Sequence, residues 1–234
     1  MEGNFSRSPV ADHIAPHKNP AQNYFMKALI LSSSPRKNGN SALLAGAVRD
    51  GLAAAGHEVA FVYAEEVLSS FLRDCRQCRK PGGECAIEDN FRRTFFDHFL
   101  PADGFIAATP VYWYGVSAQL KAFFDRSFCY YAASYPRSAE VIDGMKGKRI
   151  GLVVSSEETF PMVSGGIVSQ MQEYARYTRG AFVGVVHGIG NARGDVAKDP
   201  NDPLGQARRF GETFFTRHTS DYQIDTPRNG RVWG

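Results

Sequence analysis

The sequence predicts an α/β domain built on a doubly wound, parallel sheet of five strands with helices on both faces. Three observations lead there. Five short apolar runs recur along the chain, and each is followed, directly or after a loop, by a segment of helical period. The runs are continuously apolar rather than alternating, as strands covered on both faces must be. The chain has 234 residues, of which 43% are hydrophobic. That is enough for one such domain with a substantial core and too little for two large ones.

The elements follow in order. Residues 1–25 read as a flexible N-terminal tail, interrupted by Pro9, Pro16 and Pro20. The folded domain is expected over 26–218 and a C-terminal tail over 219–234. Ala28 to Leu31 form the first strand. Asn40 or Ser41 can cap the helix that follows, and Gly56 stops it. Val59 to Tyr63 are the second strand. Residues 64–88 read as irregular and hold three cysteines. A helix over 89–100 leads to the third strand, 103–109. A loop rich in aromatics, 110–115, opens a helix over 117–128, and a polar connection runs to Lys148. The fourth strand spans 149–155, a helix 163–177, the fifth strand 181–187, and a last helix 203–218. Ligands of such sheets bind beyond the carboxyl ends of the strands. That selects the loops 32–41, 64–88, 110–116 and 155–163, with 188–202 at the edge.

Composition excludes several classes. The net charge is only +3 with no block of like charge, which argues against nucleic acid as a partner. The N-terminus lacks the apolar core of a secretory signal, and no stretch has the length to cross a bilayer. A cytoplasmic, reducing setting is expected, with thiols rather than disulfides.

The loop Ser32-Ser33-Ser34-Pro35-Arg36-Lys37-Asn38-Gly39-Asn40-Ser41 joins a strand to a helix N-terminus. Free backbone N–H groups and the helix dipole favour an anion there, hydroxyls and amides add donors, and Arg36 and Lys37 add charge. It is neither a Walker loop nor a G-x-G-x-x-G turn. A phosphate dianion fits it. Thr109-Pro110-Val111-Tyr112-Trp113-Tyr114-Gly115 places three adjacent aromatics at the mouth of the sheet. A flat ring would cover them.

These two stretches, with Thr109 to Arg126 as a whole, resemble the phosphate loop and the isoalloxazine loop of the NADPH-dependent FMN reductase family. The resemblance runs from about Lys27 to Phe215 and implies a flavodoxin-like sheet of order 2-1-3-4-5. It implies FMN as cofactor, with Ser34, Arg36, Asn40 and Ser41 on the phosphate and Ser32 nearby. Pro110, Val111, Tyr112, Trp113 and Tyr114 would line the ring, and Ser155 and Ser156 would border the ring or the ribityl chain. NAD(P)H is implied as co-substrate, with a quinone, a flavin or a similar small molecule as electron acceptor. A homodimer or homotetramer is implied too, but no membrane partner. Lys121, Asp125 and Arg126 match the family's helix and read as structural. No protein acid or base is required for a hydride step, so no catalytic residue is named.

Cys75, Cys78 and Cys85 have the spacing C-x2-C-x6-C, which resembles the cluster segment of iron–sulfur flavoproteins in the same superfamily. Only three cysteines are present there, Pro81 stands where a fourth would be expected, and Cys129 lies far along the chain. No metal site is assigned. A redox pair of Cys75 and Cys78 beside basic residues stays open, as does a loop that has lost its cluster. Gly188 to Gly194 superficially match a dinucleotide fingerprint, but the third glycine comes one residue late and no helix opens behind it. This stretch reads as a mobile loop, and His187 as a strand-end histidine. Three alternatives to the reductase reading stay open: a flavodoxin-like electron carrier, an iron–sulfur flavoprotein, and a flavin-free interaction protein on the same fold.

Overall fold

The computed structural model describes residues 25–160 and 162–219. The two tails expected from the sequence lie outside the described residues, apart from Phe25 and Thr219. Five strands form one parallel sheet in the order β2-β1-β3-β4-β5. They are β1 (Lys27–Ser32), β2 (Glu58–Tyr63), β3 (Gly104–Pro110), β4 (Arg149–Ser156) and β5 (Ala181–Ile189). β1 and β3 in the middle are buried almost throughout, while the edge strand β2 is half-buried. The carboxyl ends lie level: Ser32 pairs with both Tyr63 and Ala108, and Pro110 with Ser155. The loops selected from the sequence therefore open on one edge.

Successive side chains of a strand point to opposite faces, and each face has its own core. Leu29, Leu31, Phe105 and Leu152 meet the helical segment α3 (Phe91–Thr94), α4 (Ala118–Tyr131), α5 (Ser138–Met145) and α6 (Gly165–Tyr177). Ala28, Ile30, Ile106 and Val153 meet α1 (Asn40–Ala54) and α7 (Pro203–Thr213). The first core is rich in phenylalanine. Phe91, Phe95, Phe99, Phe105 and Phe123 are buried to within 1%, and each such ring contributes roughly 1.5–3 kcal/mol. In the second, α1 and α7 touch backbone to backbone at Gly51 and Gly211. A methyl group on Gly51 would lie 2.0 Å from the Arg208 carbonyl, and one on Gly211 2.2 Å from that of Val48.

Several local expectations are corrected. Residues 64–88 contain a short helix, α2 (Ala64–Val67), and a 3₁₀ turn, Gln77–Arg79. The helix expected over 89–100 begins at Phe91 and widens into a π-helical turn, Phe95–Phe99. The polar connection before Lys148 contains α5, whose buried Val141 and Met145 supply the apolar side of a single two-turn helix. The N-cap of α1 is Gly39, not Asn40 or Ser41.

Candidate functional site

The phosphate-type loop is folded tightly. Ser34 Oγ accepts from the Arg36 N–H at 3.1 Å, and Gly39 N–H donates to the Arg36 carbonyl. A Cβ on Gly39 would come within 3.2 Å of both Ser34 Oγ and the Arg36 carbonyl, so glycine permits the tight turn. Helix α1 then starts with no side-chain cap and no acidic residue in its first turn. Its leading N–H groups and positive dipole end thus stay available to an anion.

Nine of the twelve residues assigned to the cofactor line a single cleft. Ser34, Arg36, Asn40 and Ser41 come from the first loop and helix, Pro110, Val111 and Tyr112 from the end of β3, and Ser155 and Ser156 from the end of β4. The cleft has a volume of about 90 Å³. Hydrogen bonds fix its walls. Ser117 Oγ donates to the Ser33 carbonyl at 3.0 Å, and Val111 N–H donates to the Ser155 carbonyl at 2.9 Å. The ring-type loop is thereby tied to both neighbours. Ser32 lies at the end of β1, fully buried, and among the described residues its hydroxyl has no hydrogen-bond partner.

Three assigned residues have features that the sequence does not reveal. Asn40 uses both ends of its amide on the chain after β5. Its Nδ2 donates to the carbonyls of Gly190 (2.8 Å) and Ala192 (3.0 Å), and its Oδ1 accepts from Gly194 and Val196 N–H. The loop read as mobile is therefore pinned, and Asn40 acts on it as a brace. Trp113 and Tyr114 leave the first cleft and line a second, together with Val111, Ser156, Glu157, Glu158 and Val163. Lys37 is drawn away from the anion loop by Glu66 and Glu65, which leaves Arg36 as the loop's cation facing the cleft.

Trp113 and Tyr114 occupy the left-handed region, with φ of 50° and 60°. They form the two central residues of a tight hairpin closed by paired bonds between Tyr112 and Gly115, each 3.0 Å. Bulky residues in this conformation are strained. This backbone conformation displays Trp113 at 96% exposure, at the second cleft. Tyr114 Oη donates to Glu158 at 3.1 Å, and this bond holds the phenol proton above its ordinary range.

Sequence reasoning missed Glu157, Gly190 and Asn191, which also line the first cleft. Their loops, 155–163 and 188–202, are selected by position in the sheet, but no residue-level pattern singles these three out, because Asn40 is what draws the second loop to the cleft. His187 does lie near the end of its strand, with Nε2 2.7 Å from Ser156 Oγ. Ser156 gives its own proton to the Glu158 carbonyl, so His187 donates. Burial lowers the imidazole pKa, against the pull of Asp199, and favours the neutral ring. Lys121 and Asp125 form an exposed pair at 2.6 Å.

Residues 26–187 match the family Flavodoxin_2, described by its flavodoxin-like fold. The chain is 38% identical over 103 residues to an iron–sulfur flavoprotein of Methanocaldococcus jannaschii, a match covering 44% of this chain and 52% of that protein. It thus spans about half the length of that relative. It is 26% identical over 186 residues to YwqN of Bacillus subtilis, named as an NAD(P)H-dependent FMN-containing oxidoreductase, across 79% of this chain and 96% of that one. Its fold is similar to that of the NAD(P)H:quinone oxidoreductase from Methanothermobacter marburgensis, with a TM-score of 0.61 and 21% identity over 85% of this chain and 100% of the other.

Proposed function

We propose that this chain, which belongs to the Flavodoxin_2 family, binds FMN in the first cleft and works as an NAD(P)H-dependent oxidoreductase with a quinone, a flavin or a similar small molecule as acceptor. The observation that carries this reading is the convergence of the anion loop and the ring loop on one cleft at the carboxyl ends of β1, β3 and β4. The donor set fits the cofactor. Ser34, Ser41, Arg36 and the uncapped N-terminus of α1 suit a phosphate dianion. Pro110, Val111 and Tyr112 offer a flat, largely apolar wall to a ring. The FMN-containing relative from Bacillus subtilis supports the same reading.

FMN, when bound, supplies hydride acceptance and onward electron transfer. The chain's residues hold and shape. Arg36 and the serines would fix the phosphate end, and the Asn40 brace keeps the 190–196 loop against the opposite wall. Glu157, Ser156 and Val111 are shared between the two clefts, so a molecule in the second would meet the ring at its edge. Trp113, Tyr114 and Val163 would exclude water there. The second cleft, with a volume of about 310 Å³, is our candidate for the nicotinamide and the acceptor. Among the described residues no helix is long and apolar enough to cross a membrane. The four free thiols support a reducing, cytoplasmic setting.

The test is an absorption spectrum of the purified chain with FMN, followed by NADPH or NADH without oxygen. Flavin bands that bleach on addition support the proposal. Bound flavin that only dithionite reduces would point to an electron carrier. Failure to take up FMN sinks the reading.

A further inference from the structure

Two groups of side chains remain outside the first cleft. One is the cysteine segment. Some relatives are named iron–sulfur flavoproteins, and such a cluster takes four thiolates. Among the described residues, no three His, Cys, Asp or Glu side chains converge as metal ligands. The four cysteines border a cavity of only about 30 Å³, which admits a water-sized molecule. The segment does not fit the cluster.

The other group is the wall of the second cleft, and its charge is one-sided. Two carboxylates, Glu157 and Glu158, line it beside the rings of Trp113 and Tyr114, and the lining contains no lysine or arginine. Glu158 is held at both ends. Ser156 Oγ donates to its carbonyl at 2.8 Å, His187 Nε2 donates to Ser156 Oγ at 2.7 Å, and Tyr114 Oη donates to its Oε1 at 3.1 Å. Glu157 is exposed and makes no hydrogen bond or ion pair among the described residues. Trp113, at 96% exposure, offers a bare aromatic face. The first cleft has the opposite character, with Arg36 and the uncapped N-terminus of α1. Arg36 is taken up by the phosphate end in the proposed complex, so it does not offset the carboxylates of the second.

We propose that the second cleft selects flat cationic rings, that is N-alkylated heteroaromatics, over neutral or anionic rings of the same size, and that Glu157 and Glu158 set this preference. The inference rests on reading the second cleft as the place of the ring that meets the flavin. A cation over the face of a tryptophan is attracted by the ring quadrupole, and carboxylates in a partly enclosed cleft attract it more strongly than they would in bulk water. A neutral ring of the same shape gains neither attraction, and an anionic ring is repelled. The acceptor class is thereby narrowed to rings of the phenazinium or phenothiazinium kind, with sulfonated rings disfavoured. The oxidised nicotinamide ring, a pyridinium, shares this chemistry, whereas the reduced ring is neutral.

The test titrates the full chain, without FMN, with two probes of nearly one shape, N-methylquinolinium and quinoline, followed by NMR of the probe at neutral pH. The cation should bind about tenfold more tightly than the neutral ring, and the difference should shrink with added salt. In Glu157→Gln/Glu158→Gln it should fall to about twofold or less. Both side chains are exposed, and circular dichroism checks that the double variant folds. Glu212→Gln, which removes an exposed carboxylate of α7, should leave the preference unchanged. Equal binding of the two probes, or a preference that survives the double variant, overturns the proposal. With FMN restored and NADH as donor, kcat/KM for methylene blue should fall about tenfold in the double variant, while that for menadione, a neutral quinone, stays within about twofold. Displacement of N-methylquinolinium by NAD⁺ but not by NADH would add the oxidised nicotinamide to the cations the cleft holds. The probe titration needs no flavin. Failure to bind FMN would sink the oxidoreductase reading and leave the titration standing, whereas an active flavoprotein without cation preference would sink this inference alone.

Discussion

Arg126 grips Asp89 with two parallel hydrogen bonds, Nη1 to Oδ2 at 2.5 Å and Nη2 to Oδ1 at 2.8 Å, and both side chains are nearly withdrawn from water at 2% and 6% exposure. Asp89 also accepts from the N–H groups of Ser69 and Phe91, and Arg126 lies over the Phe91 ring, 4.3 Å from its centroid. The pair ties the irregular 68–90 segment to α4, and Arg126 lines the cavity bordered by the cysteines.

Removing one partner leaves the other charge buried and alone, which costs about 3–5 kcal/mol. Asp89→Asn and Arg126→Met are each expected to lose that much in urea unfolding. Burial pushes the Asp89 carboxyl up, but the hydrogen bonds from Arg126 and the two backbone amides outweigh it and hold it below the usual range. A depressed carboxyl contributes stability above the unfolded value of about 3.9 and loses it as pH falls through the folded value. The acid limb of a stability–pH curve should therefore flatten below about pH 4 in Asp89→Asn. An unchanged limb would assign acid unfolding to other groups.

Gly51→Ala should destabilise the chain by about 1–3 kcal/mol or more, because the added methyl meets the backbone of α7 and cannot be accommodated by a rotamer change. Gly46→Ala, in the same helix with nothing within 4 Å of its Cβ position, should instead stabilise by about 0.5–1 kcal/mol. Thermal unfolding of the two variants side by side separates the packing effect from helix propensity.

Arg36→Ala should weaken FMN binding by about tenfold, equivalent to roughly 1.4 kcal/mol, since it removes a charge-assisted contact to the phosphate. Arg36 is exposed, so the Tm of the flavin-free chain should stay where it is. Titration followed by flavin fluorescence measures the first quantity and differential scanning the second. Equal affinity in the variant would place the phosphate elsewhere.

The hairpin at Trp113 and Tyr114 offers a trade between stability and activity. Trp113→Gly relieves a left-handed bulky residue and should raise the stability of the flavin-free chain by about 1–2 kcal/mol. It also removes the exposed ring that lines the second cleft, so KM for NADPH or the acceptor should rise. A variant with higher KM and lower stability would show that the ring packs where it stands.

Much of the fold was legible because it rests on local patterns. Continuous apolar runs marked β1, β3 and β4, and the Ser- and Asn-rich turn before α1 marked the anion loop. The Flavodoxin_2 match and the observed strand order agree with that reading. What escaped depends on contacts between distant residues. Asn40 resembled a cap and proved to be a brace to residues 190–196, an assignment its own neighbourhood does not encode. Helix α5 was hidden because its apolar side is only two turns long.

The brace at Asn40 has a consequence for how the chain comes into being. The anion loop leaves the ribosome early, yet the partners of Asn40 lie about 150 residues further on. At roughly 5–20 residues per second, the first loop waits about 8 to 30 s for the segment that locks it. Any cofactor that needs both walls can be captured only after residues 190–196 have been made. For the proposed FMN this means that binding waits for the fifth strand and the loop behind it, and that flavin supply cannot assist the earlier steps of folding.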